Sequence, residues 1–138
     1  MENKIKFPYI FLSAVIFISL HLIFLKTKLY GNRGWVDILL HFITGVFLGA
    51  IFLWWCNRKS LILSPKSLVI SLLVSGLVGG LIWESVEFTL WNFLPKIGDY
   101  VEIKKTPLRD TFSDLSLDTL GSLSWLVFVK IRKNGGQK

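Results

Sequence analysis

The sequence predicts an all-α membrane protein, a single domain over residues 1–138 that forms a bundle of about four transmembrane helices. Of its 138 residues, 52% are hydrophobic and only 18% are charged, whereas soluble domains have about 25% charged residues. The mean hydropathy is +0.56. The apolar residues also lie in long continuous runs, and a helical run of about 20 apolar residues can cross the hydrocarbon core of a bilayer.

The first apolar run covers residues 7–25 and is uncharged, with only Ser13, Ser19 and His21 interrupting it. It is longer than the apolar region of a usual signal peptide, and residues 26–28 offer no small-residue cleavage site. We therefore expect it to be retained as the first membrane span.

Three further spans are predicted at residues 38–55, 68–94 and 110–129. Pro65 lies just before the third span, where proline is favoured at the start of a helix. The link between the first two spans contains Gly31 and other turn-forming residues, and the segment before the fourth span is the longest and most polar of the three links. The chain therefore alternates between apolar runs and short polar links.

The net charge of +7 comes from basic residues that lie mostly between the apolar runs. Basic residues in such links orient membrane helices, so we do not expect nucleic acid as a partner. Of the 16 Lys and Arg residues, nine fall on the side of both termini and seven on the other. This excess predicts a multi-pass protein of the plasma membrane with both termini in the cytoplasm. The lone Cys56 excludes disulfides within the chain and cysteine-based metal sites.

The acidic residues converge on the side opposite the termini, with Glu2 as the exception. Asp110, Asp114 and Asp118 recur every four residues and therefore share one helix face. The same spacing places Asp37 and His41 on one face of the second span, and the glycines that continue these stripes are typical of contact faces between membrane helices. The glycines are Gly45, Gly49, Gly76 and Gly80.

A charged group near the centre of a bilayer costs roughly 2.5–3.5 kcal/mol, so ionisable residues inside membrane spans usually have a function. The candidate catalytic or metal-ligating residues are His41, Glu84, Glu87, Asp114 and Asp118. Helix capping or a position on the rim is the simpler interpretation for three others, namely Asp37, Arg109 and Asp110. A structural hydrogen-bonding role is the simpler interpretation for His21.

Two families share parts of this pattern. Residues 35–42, with the glycines that follow, resemble the first motif of VanZ-like membrane proteins, and residues 84–87 and 109–121 resemble their second half. The motif at residues 83–88 and the series Asp110, Asp114 and Asp118 are also similar to motifs of YjdF-like small membrane proteins. The resemblance covers about residues 35–125. VanZ-like proteins are associated with resistance to glycopeptide antibiotics at the cell surface, so the resemblance implies a location and a site rather than a reaction.

The sequence leaves three functions open. The site could bind a divalent cation (Mg²⁺, Mn²⁺ or Ca²⁺, or Zn²⁺ if histidine participates) together with an amphiphilic lipid or a lipid-linked precursor of the cell envelope. The same carboxylates could serve a small proton- or ion-coupled transporter, or they could be polar contacts in a structural membrane subunit. No known hydrolase or transferase motif is present, so enzymatic activity is left open. The bilayer is the expected partner, and a second copy of the chain is a further one to test.

Overall fold

The computed structural model describes residues 7–27, 34–94, 96 and 108–128. All four elements assigned in this part of the chain are α-helices: α1 (Phe7–Lys26), α2 (Gly34–Arg58), α3 (Pro65–Phe93) and α4 (Leu108–Leu123). The prediction of an all-helical protein is thereby confirmed. A turn at Ser124 follows α4, and residues 125–128 are again helical.

Some features used in the sequence analysis lie outside the described residues. They include most of the loop and terminal lysines and arginines on which the orientation was predicted, and the last residue of the predicted fourth span. The orientation of the chain in the membrane therefore stays a prediction.

Local signals in the sequence define the link between α2 and α3. At the end of α2, Ser60 has a positive φ of 53°, and the Leu61 N–H donates to the Cys56 carbonyl at 2.9 Å. This hydrogen bond back over five residues is the one that ends a helix in a Schellman motif. At the start of α3, the Ser64 hydroxyl accepts from the Ser67 N–H at 3.1 Å, and Pro65 occupies the first turn.

Two of the helices are long and apolar enough to cross a membrane, among the residues described. They are α2 from Trp35 onward and the whole of α3. The apolar part of α1, Ile10–Phe24, is shorter, and α4 has 16 residues, a length of about 24 Å at 1.5 Å per residue.

The helices expose many large apolar side chains and bury several polar ones. Phe11, Ile70 and Ile82 are each 61% exposed, while Asp118 and Ser122 are completely buried. A water-soluble domain buries its large apolar side chains and exposes most of its carboxylates. Exposed apolar side chains together with buried polar ones are expected of helices that face lipid.

α4 is the central helix of the bundle. It packs against both α2 and α3, and each of these contacts is more extensive than the contact between α2 and α3. The contacts pair Thr111 with Glu84 and Ser122 with Leu72, so α4 runs opposite to α3. α1 lies against α2 through aromatic rings, with the Phe17 and Phe47 rings stacked at 5.9 Å.

Glycines allow the three inner helices to approach at the level of Asp118. A methyl group at Gly45 of α2 would overlap the Asp118 carbonyl oxygen, and one at Gly121 of α4 would overlap the Phe42 carbonyl oxygen. On α3, a methyl group at Gly76 would lie 2.7 Å from the Thr119 Cα. These positions confirm the prediction that the glycine stripes are contact faces between helices.

A second group of polar contacts lies one turn beyond Asp118. The buried Ser122 hydroxyl donates to the Leu72 carbonyl of α3 at 2.8 Å and lies 2.8 Å from the Ser75 hydroxyl. The Trp125 indole N–H donates to the Val46 carbonyl of α2 at 2.7 Å. These side chains therefore join α4 and the turn after it to both neighbouring helices.

We expect Gly45→Ala to lower the free energy of unfolding by about 1–3 kcal/mol, the usual cost of overpacking. The added methyl group would push the Asp118 backbone away from α2. The matched control is Gly79→Ala, whose methyl group would meet the flexible end of the Leu48 side chain. Unfolding in detergent micelles, followed by circular dichroism, compares the two, and equal stability of the two variants would contradict the close backbone contact.

Candidate functional site

A cluster of ionisable side chains lies between α2 and α4. Asp37 and His41 occupy successive turns of α2, and Asp114 and Asp118 occupy successive turns of α4. His41 is 5% exposed, Asp114 3% and Asp118 0%, whereas the Asp37 side chain is 39% exposed. The cluster therefore reaches from the completely buried centre of the bundle to a half-exposed carboxylate. We call these four residues the His41 cluster.

The His41 ring separates the three carboxylates into two groups. Its Nδ1 lies 3.2 Å from Asp118 Oδ2, a hydrogen-bonding distance. Its Nε2 lies 3.7 Å from Asp37 Oδ1 and 3.8 Å from Asp114 Oδ1, too far for direct hydrogen bonds. A small gap therefore lies between Nε2 and the two carboxylates.

Asp37, His41 and Asp114 have the geometry of a candidate metal centre. One donor atom from each of them lies within 4.8 Å of the others. Two donors bound to one ion at about 2.0–2.6 Å can be no more than about twice that distance apart. The three donor atoms can therefore reach a single ion with little movement.

Asp118 lies on the other side of the ring from this group. Its Oδ2 faces Nδ1, and a methyl group at Gly80 of α3 would be 2.7 Å from the same oxygen. Its Oδ1 is buried and has no hydrogen-bond partner. The two nitrogens of one imidazole point in different directions. Asp118 therefore contacts His41 at Nδ1 and does not line the gap at Nε2.

The cluster concentrates negative charge in a buried place. With all three aspartates ionised and the ring protonated, its net charge would be −2. Burying uncompensated charge costs several kcal/mol per ion. A bound cation or additional protons would reduce this cost, and either would change the contacts of His41.

Glu84 and Glu87, which the sequence suggested as ligands, lie outside the three-residue group. Glu84 Oε2 accepts a hydrogen bond from the Thr111 hydroxyl at 2.8 Å, and its Oε1 is buried without a partner. Glu87 is partly buried. Among the described residues, no hydrogen bond or ion pair joins Glu87 to the His41 cluster.

The three residues assigned to helix capping or the rim, namely Asp37, Arg109 and Asp110, differ in their surroundings. Asp37 is part of the cluster, although helix capping was the simpler interpretation of its sequence position. Asp110 lies in the first turn of α4, where an acid interacts favourably with the helix dipole. The side chain of Arg109 lies outside the described residues. His21 of α1 packs edge-on against Trp83 of α3, with ring centroids 5.7 Å apart.

Sequence reasoning missed Thr111 and Ser122. Both are small hydroxyl residues on the face of α4 that also holds the aspartates, and both reach α3. The four-residue step from Asp118 to Ser122 is the signal that could have found the second of them. Thr111 lies three residues before Asp114 and seven before Asp118, spacings that also share a helix face and could have found the first of them.

Thr111→Val should lower the free energy of unfolding by about 1–3 kcal/mol, because the partly buried Glu84 would lose its hydrogen-bond donor. The control is Thr119→Val on the same helix, where the hydroxyl bonds only to the Leu115 carbonyl one turn earlier. Denaturant titration in mixed micelles measures both variants. A Thr111→Val variant no less stable than the control would show that the contact with Glu84 contributes nothing.

The chain was compared with known protein families, curated proteins and solved structures. Residues 1–135 match the model of a family described as "Predicted membrane protein (DUF2238)". No curated protein and no solved structure matches the chain. Because the family model covers almost the whole sequence, the chain belongs to this family of predicted membrane proteins.

Proposed function

We propose that this member of a predicted membrane protein family is a multi-pass membrane protein that binds a divalent cation through His41 Nε2, Asp37 and Asp114. The observation that carries the proposal is the convergence of these three donors within 4.8 Å. His41 and Asp114 are both buried. Burying their polar groups lowers the stability of the fold, and a bound ion would offset that loss.

The donor set favours an ion of the Zn²⁺ or Mn²⁺ class. Imidazole is a good ligand for Zn²⁺ and carboxylates suit Mn²⁺, whereas Mg²⁺ and Ca²⁺ prefer oxygen ligands alone. The distances of 3.7 and 3.8 Å from Nε2 to the two carboxylate oxygens fit ligands bound on different sides of one such ion. Three protein ligands leave at least one position for water or a ligand.

All four helices cross the membrane in this proposal. The two shorter candidates differ in their surroundings, since α1 has exposed apolar residues such as Phe11 and Leu22 while α4 packs between α2 and α3. A helix enclosed by others needs less apolar surface than one that faces lipid. With both termini in the cytoplasm, the beginnings of α2 and α4 lie in the outer half of the bilayer, and the His41 cluster lies there with them.

The ligand of the bound ion would be an amphiphile of the cell envelope. Asp37 is the exposed member of the cluster, so the open positions of the ion would face the exposed side of the cluster. A divalent ion placed there can bind the phosphate of a lipid or of a lipid-linked precursor and can activate water. The resemblance to VanZ-like proteins supports a role in the envelope or in the response to antibiotics.

Proton transfer is the second candidate function. His41 stands between Asp118 on one side and Asp37 and Asp114 on the other, an arrangement in which an imidazole can pass a proton from one carboxylate to the next. This route would run from a completely buried acid to a half-exposed one, as a proton-coupled transporter requires. Cation binding is preferred because the gap at Nε2 is too wide for direct hydrogen bonds and suits an ion.

The purified chain should bind about one equivalent of Zn²⁺ in isothermal titration calorimetry. Asp37→Asn, His41→Asn and Asp114→Asn should each weaken binding by about 100-fold or more, since loss of an outer-shell partner alone typically costs 10–100-fold. At a free Zn²⁺ concentration 100 times the Kd, the wild-type chain should gain about 2.7 kcal/mol in stability.

Glu87→Gln and Asp110→Asn are matched controls, because each removes a carboxylate from the same end of the bundle without removing a member of the His41 cluster. Both should bind Zn²⁺ as the wild type does. If the wild-type chain binds neither Zn²⁺ nor Mn²⁺, or if the controls lose affinity as strongly as the ligand variants, the proposal is wrong. Proton transfer would then be the function to pursue.

Cysteine labelling tests the orientation. In a Cys56→Ser background, which removes the one native thiol, Asp99→Cys should react with a membrane-impermeant maleimide on intact cells. Gly135→Cys should react only after the membrane is permeabilised, because four spans put the two positions on opposite sides. Reaction of position 135 alone on intact cells would reverse the proposed topology.

A further inference from the structure

We infer that Asp118 is a positioning residue: it holds the proton on His41 Nδ1 and thereby directs the lone pair of Nε2 toward Asp37 and Asp114. This inference rests on the proposed function, since it assigns the ligand atom of that site. It also separates Asp118 from the metal ligands, among which the sequence had placed it.

The contacts of the ring favour one tautomer of the neutral imidazole. A neutral imidazole has one N–H donor and one acceptor nitrogen. Asp118 Oδ2 lies 3.2 Å from Nδ1, and a carboxylate accepts hydrogen bonds, so the proton belongs on Nδ1. Nε2 is then the atom with the free lone pair. Histidines that bind metals usually donate their other N–H to a carboxylate, a carbonyl or water, which orients the ring and makes it a better ligand.

The backbone around Asp118 keeps its carboxylate in this position. Its carbonyl oxygen lies against Gly45 of α2 and near Gly76 of α3, and its Oδ2 lies near Gly80. A larger residue at Gly45 or Gly76 would meet the backbone of α4, and one at Gly80 would meet the carboxylate of Asp118 and the end of the Leu115 side chain. His41 is itself 5% exposed, so both partners of this contact are buried.

The burial of Asp118 has no other explanation among the described residues. Its carboxylate caps no helix, its Oδ1 has no partner, and its one hydrogen-bonding contact is His41. A completely buried carboxylate with a single polar contact costs stability. In contrast, Ser122 one turn later is equally buried but bonds to α3, as expected of a structural contact.

The test compares Asp118→Asn with Ser122→Ala in the full chain, purified in detergent, with Zn²⁺ as the probe. Asparagine keeps the size of the side chain and replaces the charged acceptor with a neutral amide. We expect its Kd for Zn²⁺ to rise about 10–100-fold. Ser122→Ala removes a buried polar group from the same helix and should lower thermal stability while leaving the Kd for Zn²⁺ unchanged.

A second readout follows the Nδ1 proton directly. The chain has two histidines, and ¹⁵N-labelled histidine in a His21→Phe background isolates the signal of His41 by NMR. The wild-type spectrum should show a proton on Nδ1 both with and without Zn²⁺, and Asp118→Asn should shift it upfield because the acceptor has lost its charge. Ser122→Ala should leave it in place.

The outcomes separate this inference from the proposed function. If the wild-type chain binds Zn²⁺ and Asp118→Asn binds it equally well, the positioning role is wrong and the metal site stands. If the metal-free wild type has no proton on Nδ1, the positioning role is wrong whether or not Zn²⁺ binds. If Zn²⁺ fails to bind while the Nδ1 proton responds to Asp118→Asn as expected, the proposed function fails and the contact between Asp118 and His41 is upheld.

Discussion

The close approach of three helix backbones around Asp118 is the constraint on which the rest of the structure depends. At Gly45 of α2 and Gly76 of α3, no side chain lies between the helix and the backbone of α4. Only this separation brings the imidazole of α2 within hydrogen-bonding distance of a carboxylate on α4. Small residues between membrane helices are usually discussed as a source of van der Waals packing, but here they also determine which polar atoms can meet.

Much of the fold could be predicted from the sequence, because apolar run length and residue spacing report on single helices. The positions of α1 to α3 and the glycine contact faces follow from those local signals. The buried meeting of His41 with Asp114 and Asp118 also follows, since each lies on a polar or glycine-lined face near the same end of the bundle. These features need only the period of a helix and the order of the spans.

The remaining details depend on how each helix is rotated and how deep it lies, which spacing along one helix does not encode. Asp37 belongs to the cluster as well as to the first turn of α2, because the start of α4 faces it. Glu84 accepts a hydrogen bond from Thr111 because α3 runs opposite to α4. This direction places the acidic residues of α3 beside the first turns of α4. Only the three-dimensional contacts show that Asp118 faces Nδ1 of His41 whereas Asp114 faces Nε2.

The central position of α4 has a consequence for the biogenesis of the protein. Ribosomes complete α2 and α3 before α4, so His41 is synthesised before Asp114 and Asp118. The glycines of α2 and α3 that contact α4 likewise have no helix to pack against until the last one has been synthesised. The close packing of the bundle is therefore completed only with α4, and a chain that stops before residue 108 would leave His41 with Asp37 as its one partner from the cluster.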